Sequence, residues 1–514
     1  MPNHLEKLVP VIVALLLAPF IGIEIGNSSY MIPLFLFAMA AALVPLTMPH
    51  AVYICGACLF SSSLIIPYLH QQLTLSFCAS IWLTAYTLMS MVVYKDRIRF
   101  NHLHYVGIGI ACLIFCLMVY RGIGLRFLGS VEVGGFRYIA ILSAIGFFLS
   151  TSCLVIRPKW WTVIFICFGL GSLIPLIADL LILKGIAPNV VIRFVSTSGQ
   201  TIGSASHLMF GGIDDRFFVR FFGGKDAAIY MSVMLLGLIG ARKLYGFGLI
   251  VYCVPLLFIV GIAAISGFRL ALLTIFLIFL MAGVLDKAFT FPRIVAYSLL
   301  GAFGLVLLYS FSTELPLSVQ RSLAFMPYLE LENIARSNAT GTVEWRLMLW
   351  KAALELVPEY WLIGKGVLFN EIEFLYSRTN PISWALINSS YHNGPISALI
   401  LLGLPGLLLI AALSFLTIKR HYQLFRGDWH VPSLQRLHLA TFCYLAVSIA
   451  IFWVLYGDVY VSLPPLFWGL GIAEGLRRSD VTQREADADE ALALAMGDED
   501  SYAAAGSATT PIMV

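Results

Sequence analysis

Charge is scarce in this sequence. Asp, Glu, Lys and Arg together make up only 12% of the 514 residues, whereas 60% are hydrophobic. A soluble protein cannot bury so large an apolar fraction, which excludes a soluble globular enzyme and predicts that the lipid bilayer is the solvent. The formal net charge of +4 is also too small to indicate a nucleic-acid-binding protein.

Cysteine spacing that would indicate a metal site is also missing. The chain has 9 cysteines, and all of them lie in apolar segments. Cys55 and Cys58 form a C-x-x-C pair, but no second pair follows at the spacing of a zinc site. Inside a spanning helix such a pair is ordinary core packing. The cysteines therefore do not indicate a metal site, and no cofactor is expected.

Apolar stretches of about twenty residues recur from end to end, which is typical of spanning helices. They predict an all-α polytopic membrane protein with a bundle of about 12–14 transmembrane helices. The expected parts are an N-terminal bundle at 1–311 with an external loop at 185–226, a large extracytoplasmic loop at 312–393 containing amphipathic helices, and C-terminal helices at 394–478. A disordered, acidic cytoplasmic tail is expected at 479–514.

Lysine and arginine predict the orientation. With a cytoplasmic N-terminus, nearly all short basic links fall on the cytoplasmic side, whereas the opposite turns at 26–27, 71 and 457–458 carry no Lys or Arg. An even number of spans returns the C-terminus to the cytoplasm. The 312–393 loop is then extracytoplasmic. Arg269 breaks the pattern, because it opens an apolar span on that same side and a guanidinium near hydrocarbon is costly.

The 312–393 loop is long for a connection between spans, and long structured loops commonly carry function. Within it, residues 342–357 predict a helix that Thr342 caps and Pro358 ends. Arg346 and Trp350 are four residues apart and project together from this helix. This pairs a cation suited to phosphate with an aromatic ring suited to stacking on a sugar, although Arg346 is equally explained as an interfacial residue that reaches toward headgroups.

Four short motifs occur in order between residues 215 and 415. They are RFFGGKDA at 220–227, SGFRLALL at 266–273, EWR-x-x-x-W-x-x-A followed by Pro358 and GKG within 344–366, and HNG followed by LLGLPGL within 392–407. Together they resemble the O-antigen ligases and related Wzy-type polymerases. The first motif lacks the Pro-Asn that usually ends it, and the N-terminal spans are more numerous than is usual in that family.

The resemblance implies a metal-independent membrane glycosyltransferase. Such enzymes move a glycan from an undecaprenyl-pyrophosphate carrier to an acceptor hydroxyl on the outer face of the bacterial inner membrane. The implied partners are the carrier-linked donor, a glycan, lipid A-core or protein acceptor, and the bilayer. The corresponding products are lipopolysaccharide or exopolysaccharide.

The residue types fit this chemistry. A pyrophosphate leaving group carries concentrated negative charge, and arginine gives permanently charged, bidentate contacts to phosphate oxygens. We therefore predict that Arg220, Arg269 and Arg346 bind the pyrophosphate. The acceptor hydroxyl must lose a proton, and a histidine is a natural general base. His392, where the loop returns to the membrane, is the predicted base.

Four further residues are candidates for substrate binding: Glu344, Trp350, Asn393 and Asp458. Asp458 lies in the last external turn and is expected to face the same cavity as His392. Ligase, polymerase and protein O-glycosylation activities remain alternatives, because they differ only in the acceptor. A polytopic transporter or flippase of a solute or lipid-linked sugar is the second class. It would place its ionisable residues near the bilayer midplane, whereas here they gather at one membrane face.

Overall fold

The computed structural model describes residues 100–122, 135–154, 156–186, 221–245, 248–367 and 381–495, together with positions 64, 74, 76–77, 79–84, 87, 191 and 195. These residues form helices, and the isolated β-bridge between Leu64 and Val195 belongs to no named strand. Most of the spans expected before residue 100, and most of the 185–226 loop, lie outside the described residues.

Sixteen α-helices are numbered here within this part of the chain. They are α1 His102–Arg121, α2 Phe136–Thr151, α3 Pro158–Gly171, α4 Leu173–Leu183, α5 Phe222–Ile239, α6 Ala241–Leu244, α7 Gly248–Ile265, α8 Arg269–Leu285, α9 Phe291–Ser310, α10 Leu317–Leu323, α11 Asn333–Leu354, α12 Val357–Tyr360, α13 Pro381–Ile387, α14 Gly394–Arg426, α15 Pro432–Val454 and α16 Val459–Ala495. A 3₁₀ turn, Ser312–Glu314, follows α9.

Seven of the helical stretches in the described residues are long and apolar enough to cross a membrane, with α3 and α4 counted as one; α2, α7 and α8 are shorter apolar helices. Many of their large apolar side chains are exposed, which is the arrangement that lipid requires. The prediction of an all-α polytopic membrane protein is confirmed. The remaining spans of the predicted 12–14 concern segments outside the described residues.

Small residues let the central helices approach one another. A Cβ atom added to Gly475 of α16 would lie 2.8 Å from the indole of Trp161 in α3, and one added to Gly471 would lie 3.1 Å from the backbone of Phe148 in α2. The C-terminal helix α16 is therefore held tightly in the core of the bundle.

The loop between α9 and α14 is helical for much of its described length. Its main helix, α11, begins at Asn333, nine residues before the predicted start. Thr342 therefore does not cap the helix: its hydroxyl donates to the carbonyl of Asn338 from within the helix. The predicted end is close, since α11 stops at Leu354 and Pro358 lies in the first turn of α12.

A break in α14 fixes this loop to the bundle. Gly403 has φ 70° and ψ −175°, so the helix is interrupted there, and the carbonyls of the preceding turn lose their helical partners. The Gly364–Gly366 turn replaces them, because the Lys365 amide donates to the Ile400 carbonyl over 2.7 Å and the Gly366 amide to the Leu401 carbonyl over 3.0 Å. The GKG and LLGLPGL motifs are thus two halves of one contact.

The C-terminal helix differs from the expected tail boundary. α16 continues past residue 479 and reaches Ala495. Ser479 is buried and its hydroxyl accepts from the indole N–H of Trp161 over 2.9 Å, and buried Asp480 accepts from the Val431 amide over 2.8 Å. These polar contacts extend the ordered helix into a stretch whose composition alone indicated disorder.

Candidate functional site

His392 occupies the corner where the loop returns to the bundle, one residue before the N-cap of α14. The cap is Asn393, whose side-chain oxygen accepts from the Ile396 amide over 3.0 Å. His392 has φ 53°, a left-handed conformation that is uncommon for residues other than glycine. Its amide donates to Asp458 Oδ1 over 2.9 Å, and this hydrogen bond helps to hold the unusual backbone in place.

The other oxygen of Asp458 faces the imidazole. His392 Nδ1 lies 3.4 Å from Asp458 Oδ2, and the two side chains are 24% and 5% exposed. The contact does not meet hydrogen-bond geometry at Nδ1. The Ser390 hydroxyl lies 3.5 Å from Nε2 and 3.4 Å from Asp458 Oδ2. The carboxylate therefore sits beside Nδ1, which leaves Nε2 as the nitrogen for proton transfer.

Burial shifts both groups toward their neutral forms. Burial, and secondly the charge of Arg346, lower the pKa of His392 to about 4. Burial raises the pKa of Asp458 to about 7, although amide hydrogen bonds from His392 and Tyr391 and the charge of Arg137 oppose the shift. At neutral pH the imidazole is therefore unprotonated, which is the form that accepts a proton.

Two aromatic rings enclose the imidazole. Tyr456 stacks on His392 with 5.1 Å between ring centroids and 19° between planes, and Trp345 lies against it at 5.4 Å and 57°. The guanidinium of Arg346 lies 5.1 Å from the centroid of the same Tyr456 ring. The tyrosine thus joins the predicted base to one of the predicted phosphate-binding residues.

Arg269 begins α8 beside the same loop. Its Nη2 donates to the carbonyl of Ala339 in α11 over 3.1 Å, so the first turn of α8 is tied to the middle of the loop helix. The charge of Arg346 acts on both Arg269 and His392. Three predicted site residues, which together span 123 positions of the chain from 269 to 392, therefore share one electrostatic environment.

The other predicted residues have varied surroundings. Trp350 is half-buried, and its indole N–H donates to the Tyr391 carbonyl over 3.0 Å, which ties α11 to the segment that carries His392. Asn393 serves α14 as its N-cap. Glu344 is exposed on α11. Arg220 lies outside the described residues. In the part of the chain that the structure describes, His, Cys, Asp and Glu form no group of three that could hold a metal ion.

Two residues that contribute to the site, Tyr456 and Arg321, were not predicted from the sequence. Tyr456 stood only two residues from the expected Asp458, but an aromatic at a helix end is usually read as an interfacial residue. Arg321 is buried, and its guanidinium donates to the Gly267 carbonyl over 2.5 Å and to Asn338 Oδ1 over 2.7 Å. It links α10, α11 and the turn before Arg269. Nothing in the local pattern around Arg321 distinguishes it from a surface arginine.

The comparison with protein families supports the resemblance drawn from the motifs. A family model described as O-antigen ligase (Wzy_C) matches residues 254–411. The match includes Arg269, Arg346 and His392, and it ends before Tyr456 and Asp458. No curated protein matches the chain. The chain is thus a multi-pass membrane protein that is similar to O-antigen ligases over residues 254–411.

Proposed function

We propose that this protein transfers a glycan from an undecaprenyl-pyrophosphate carrier to an acceptor hydroxyl at the outer face of the bacterial inner membrane. The observation that carries the proposal is the placement of an unprotonated imidazole, His392, next to the cation Arg346 and the carboxyl of Asp458. A base and an anion-binding group are the two parts that such a displacement needs.

In the proposed reaction, the acceptor oxygen attacks the anomeric carbon of the donor sugar. His392 Nε2 takes the acceptor proton while the new C–O bond forms and the bond from the anomeric carbon to the pyrophosphate oxygen breaks. The electron pair of the broken bond leaves with the pyrophosphate, where Arg346 and Arg269 offset the growing negative charge. Arg220 is proposed as a third contact. Asp458, when ionised, keeps the remaining imidazole proton on Nδ1.

We propose that the site is extracytoplasmic and that both termini are cytoplasmic. Support comes from three helices that begin at the site end of the bundle, α5, α14 and α16. Basic residues follow or occupy their far portions: Arg242, Lys243, Lys419, Arg420, Arg426, Arg477 and Arg478. Short basic segments are retained on the cytoplasmic side of bacterial membranes.

The test is transfer of glycan from a carrier-linked donor by the full-length protein. His392→Ala should accumulate in the membrane normally and lower the rate by about 10²-fold or more, while carrier-linked glycan builds up. Arg269→Lys should also be impaired, because an ammonium does not reproduce the bidentate guanidinium contact. The matched control is His430→Ala, an exposed histidine between α14 and α15, which should leave the rate unchanged. Normal transfer by His392→Ala would refute the proposal.

The acceptor is identified by sizing the surface glycans of cells with and without the protein. Loss of long chains while short ones persist indicates a polymerase. Long chains that are present but detached from lipid A-core indicate a ligase. Loss of sugar from a secreted protein indicates protein O-glycosylation. Unchanged glycans with altered uptake of a solute would instead support a transporter.

A further inference from the structure

A cavity of about 240 Å³ adjoins the site and plays no part in the proton transfer described above. It lies between α5, α8, α14, α15 and the start of α16. Tyr456, whose ring stacks on His392, also lines this cavity. The His392 site and the cavity therefore share one side chain as a boundary.

An ion pair lines the cavity. Near the start of α5, Lys225 Nζ lies 3.3 Å from Asp226 Oδ1. Lys225 Nζ is also 5.9 Å from the ring centroid of Phe268, the residue that precedes Arg269. Lys225 thus lies near the start of α8, where the proposed pyrophosphate-binding arginine is located.

The start of α5 is held firmly. The Gly223 amide donates over 3.0 Å to Oδ2 of Asp179, a buried carboxylate in α4. A Cβ atom added to Gly223 would lie 2.4 Å from the backbone nitrogen of Leu176. Contacts this close leave little freedom for the first turn, so the position of the Lys225 backbone is set by α4.

The cavity extends from the site into the bundle. Tyr456, Ser448 and Tyr444 all line it, and α15 rises by about 15 Å from Tyr444 to its end at Val454. Much of the remaining lining is aliphatic, including Ile229, Leu270, Ile410, Ile449, Leu463 and Leu466. A charged group near the site and an apolar interior match an amphiphile that has an anionic head and a hydrocarbon chain.

The ion pair would balance the charge of Lys225 whenever no anion is bound during the proposed reaction. Lys225 is partly buried, with 24% of its side chain exposed, and Asp226 beside it supplies a counter-charge. An ammonium has three donors, so contact with Asp226 leaves others for an incoming anion. A carboxylate close by weakens the attraction for that anion, which favours release of the spent carrier.

We propose that this cavity binds the membrane-side part of the polyprenyl pyrophosphate carrier, with Lys225 contacting the pyrophosphate and the first isoprene units entering the aliphatic interior. The inference rests on the proposed function and deepens it. The direction of the cavity, from the site into the bundle, supports the proposal. The prenyl chain must run toward the bilayer interior, whereas the glycan must remain in water. A sugar in the interior would have to give up its hydration to mostly aliphatic walls.

The test measures binding of undecaprenyl pyrophosphate to the purified full-length protein in detergent, by native mass spectrometry, with phosphatidylglycerol as a second ligand. Lys225→Gln removes the cation, and Ser448→Phe fills the cavity. Each should weaken binding of undecaprenyl pyrophosphate by about ten-fold or more and leave phosphatidylglycerol unchanged. Lys184→Gln, which removes an exposed lysine next to α4, is the matched control. Lys225→Arg should retain most of the affinity, which separates loss of charge from misfolding.

Wild-type affinity in both Lys225→Gln and Ser448→Phe would overturn the proposal, as would equal losses for the carrier and phosphatidylglycerol. Failure of the cavity proposal can be distinguished from failure of the proposed function. His392→Ala should bind the carrier normally but not transfer glycan. If His392→Ala abolishes transfer while Lys225→Gln binds normally, only the cavity proposal fails. If Lys225→Gln loses binding while His392→Ala still transfers, the role of His392 fails and the binding site remains.

Discussion

The imidazole of His392 and the ring of Tyr456 stack with 5.1 Å between centroids and only 19° between their planes. Arg346 lies over the same tyrosine, 5.1 Å from its centroid. One aromatic side chain therefore fixes the separation between an unprotonated imidazole and a permanent cation. In the proposed reaction, this separation corresponds to the distance from the acceptor proton to the leaving group.

Replacing Tyr456 tests whether its ring contributes to the rate of glycan transfer. Tyr456→Ala removes both the stacking surface and the cation–π contact, so we expect the glycan-transfer rate to fall by about ten-fold or more. Tyr456→Phe keeps the ring and should stay within about three-fold of wild type. Initial rates of glycan transfer measure both effects. Equal losses in the two variants would indicate that the hydroxyl, and not the ring, is required.

The pH–rate profile of Arg346→Gln tests the link between the cation and the base. His392 accepts a proton only when neutral, so activity should fall as the pH drops toward its pKa of about 4. The charge of Arg346 contributes to that low pKa, and its removal should raise the pKa and move the acid fall-off to higher pH. Arg346→Lys keeps the charge and should keep the fall-off in place. An unchanged profile in Arg346→Gln would contradict the assignment.

Asp458→Asn tests the buried carboxyl through stability. The pKa of Asp458 rises from 3.8 to about 7 in the folded protein. Between these values the folded state retains a proton that the unfolded state has released, so this group makes the wild type less stable as pH rises. Asparagine cannot ionise. The melting temperature of Asp458→Asn relative to wild type should therefore increase from about pH 4 to about pH 7 and then level off. Asp428→Asn, at an exposed position between α14 and α15, is the control.

Gly403→Ala tests the break in α14. The positive φ disfavours any side chain, and a Cβ atom there would lie 2.6 Å from the carbonyl oxygen of Leu362. The variant should lose about 2 kcal/mol or more of unfolding free energy. Gly301→Ala in α9 is the control, because a Cβ atom there meets no other atom within 4 Å. Thermal unfolding in detergent compares the two, and similar behaviour would show that the break is not strained.

The class of fold and the resemblance to O-antigen ligases could both be predicted from the sequence. A soluble protein would have no means of burying apolar runs of this length. The four motifs occur in the same order as in the family. His392 and Arg269 were identifiable because each stands at a junction between polar and apolar chain. A guanidinium or imidazole at such a junction is an exception to a strong physical rule.

The features that could not be predicted from the sequence depend on contacts between distant segments. The start of α11 was placed too late because Thr342 is a good capping residue in isolation, whereas in the protein it lies inside a longer helix. Gly364 and Gly403 belong to two separate motifs in the sequence, and only the structure shows that they approach each other. The extension of the ordered helix past residue 479 likewise depends on distant partners. Trp161 lies 318 positions before Ser479, and Val431 lies 49 positions before Asp480.

The contact between His392 and Asp458 has a consequence for biosynthesis. The histidine belongs to the segment that enters α14, but its carboxyl partner arrives 66 residues later, after α15 has crossed the bundle. A nascent chain inserted only as far as α14 has His392 without this carboxyl partner. If His392 is the proposed base, glycan transfer should therefore begin only once the turn before the last helix has been inserted.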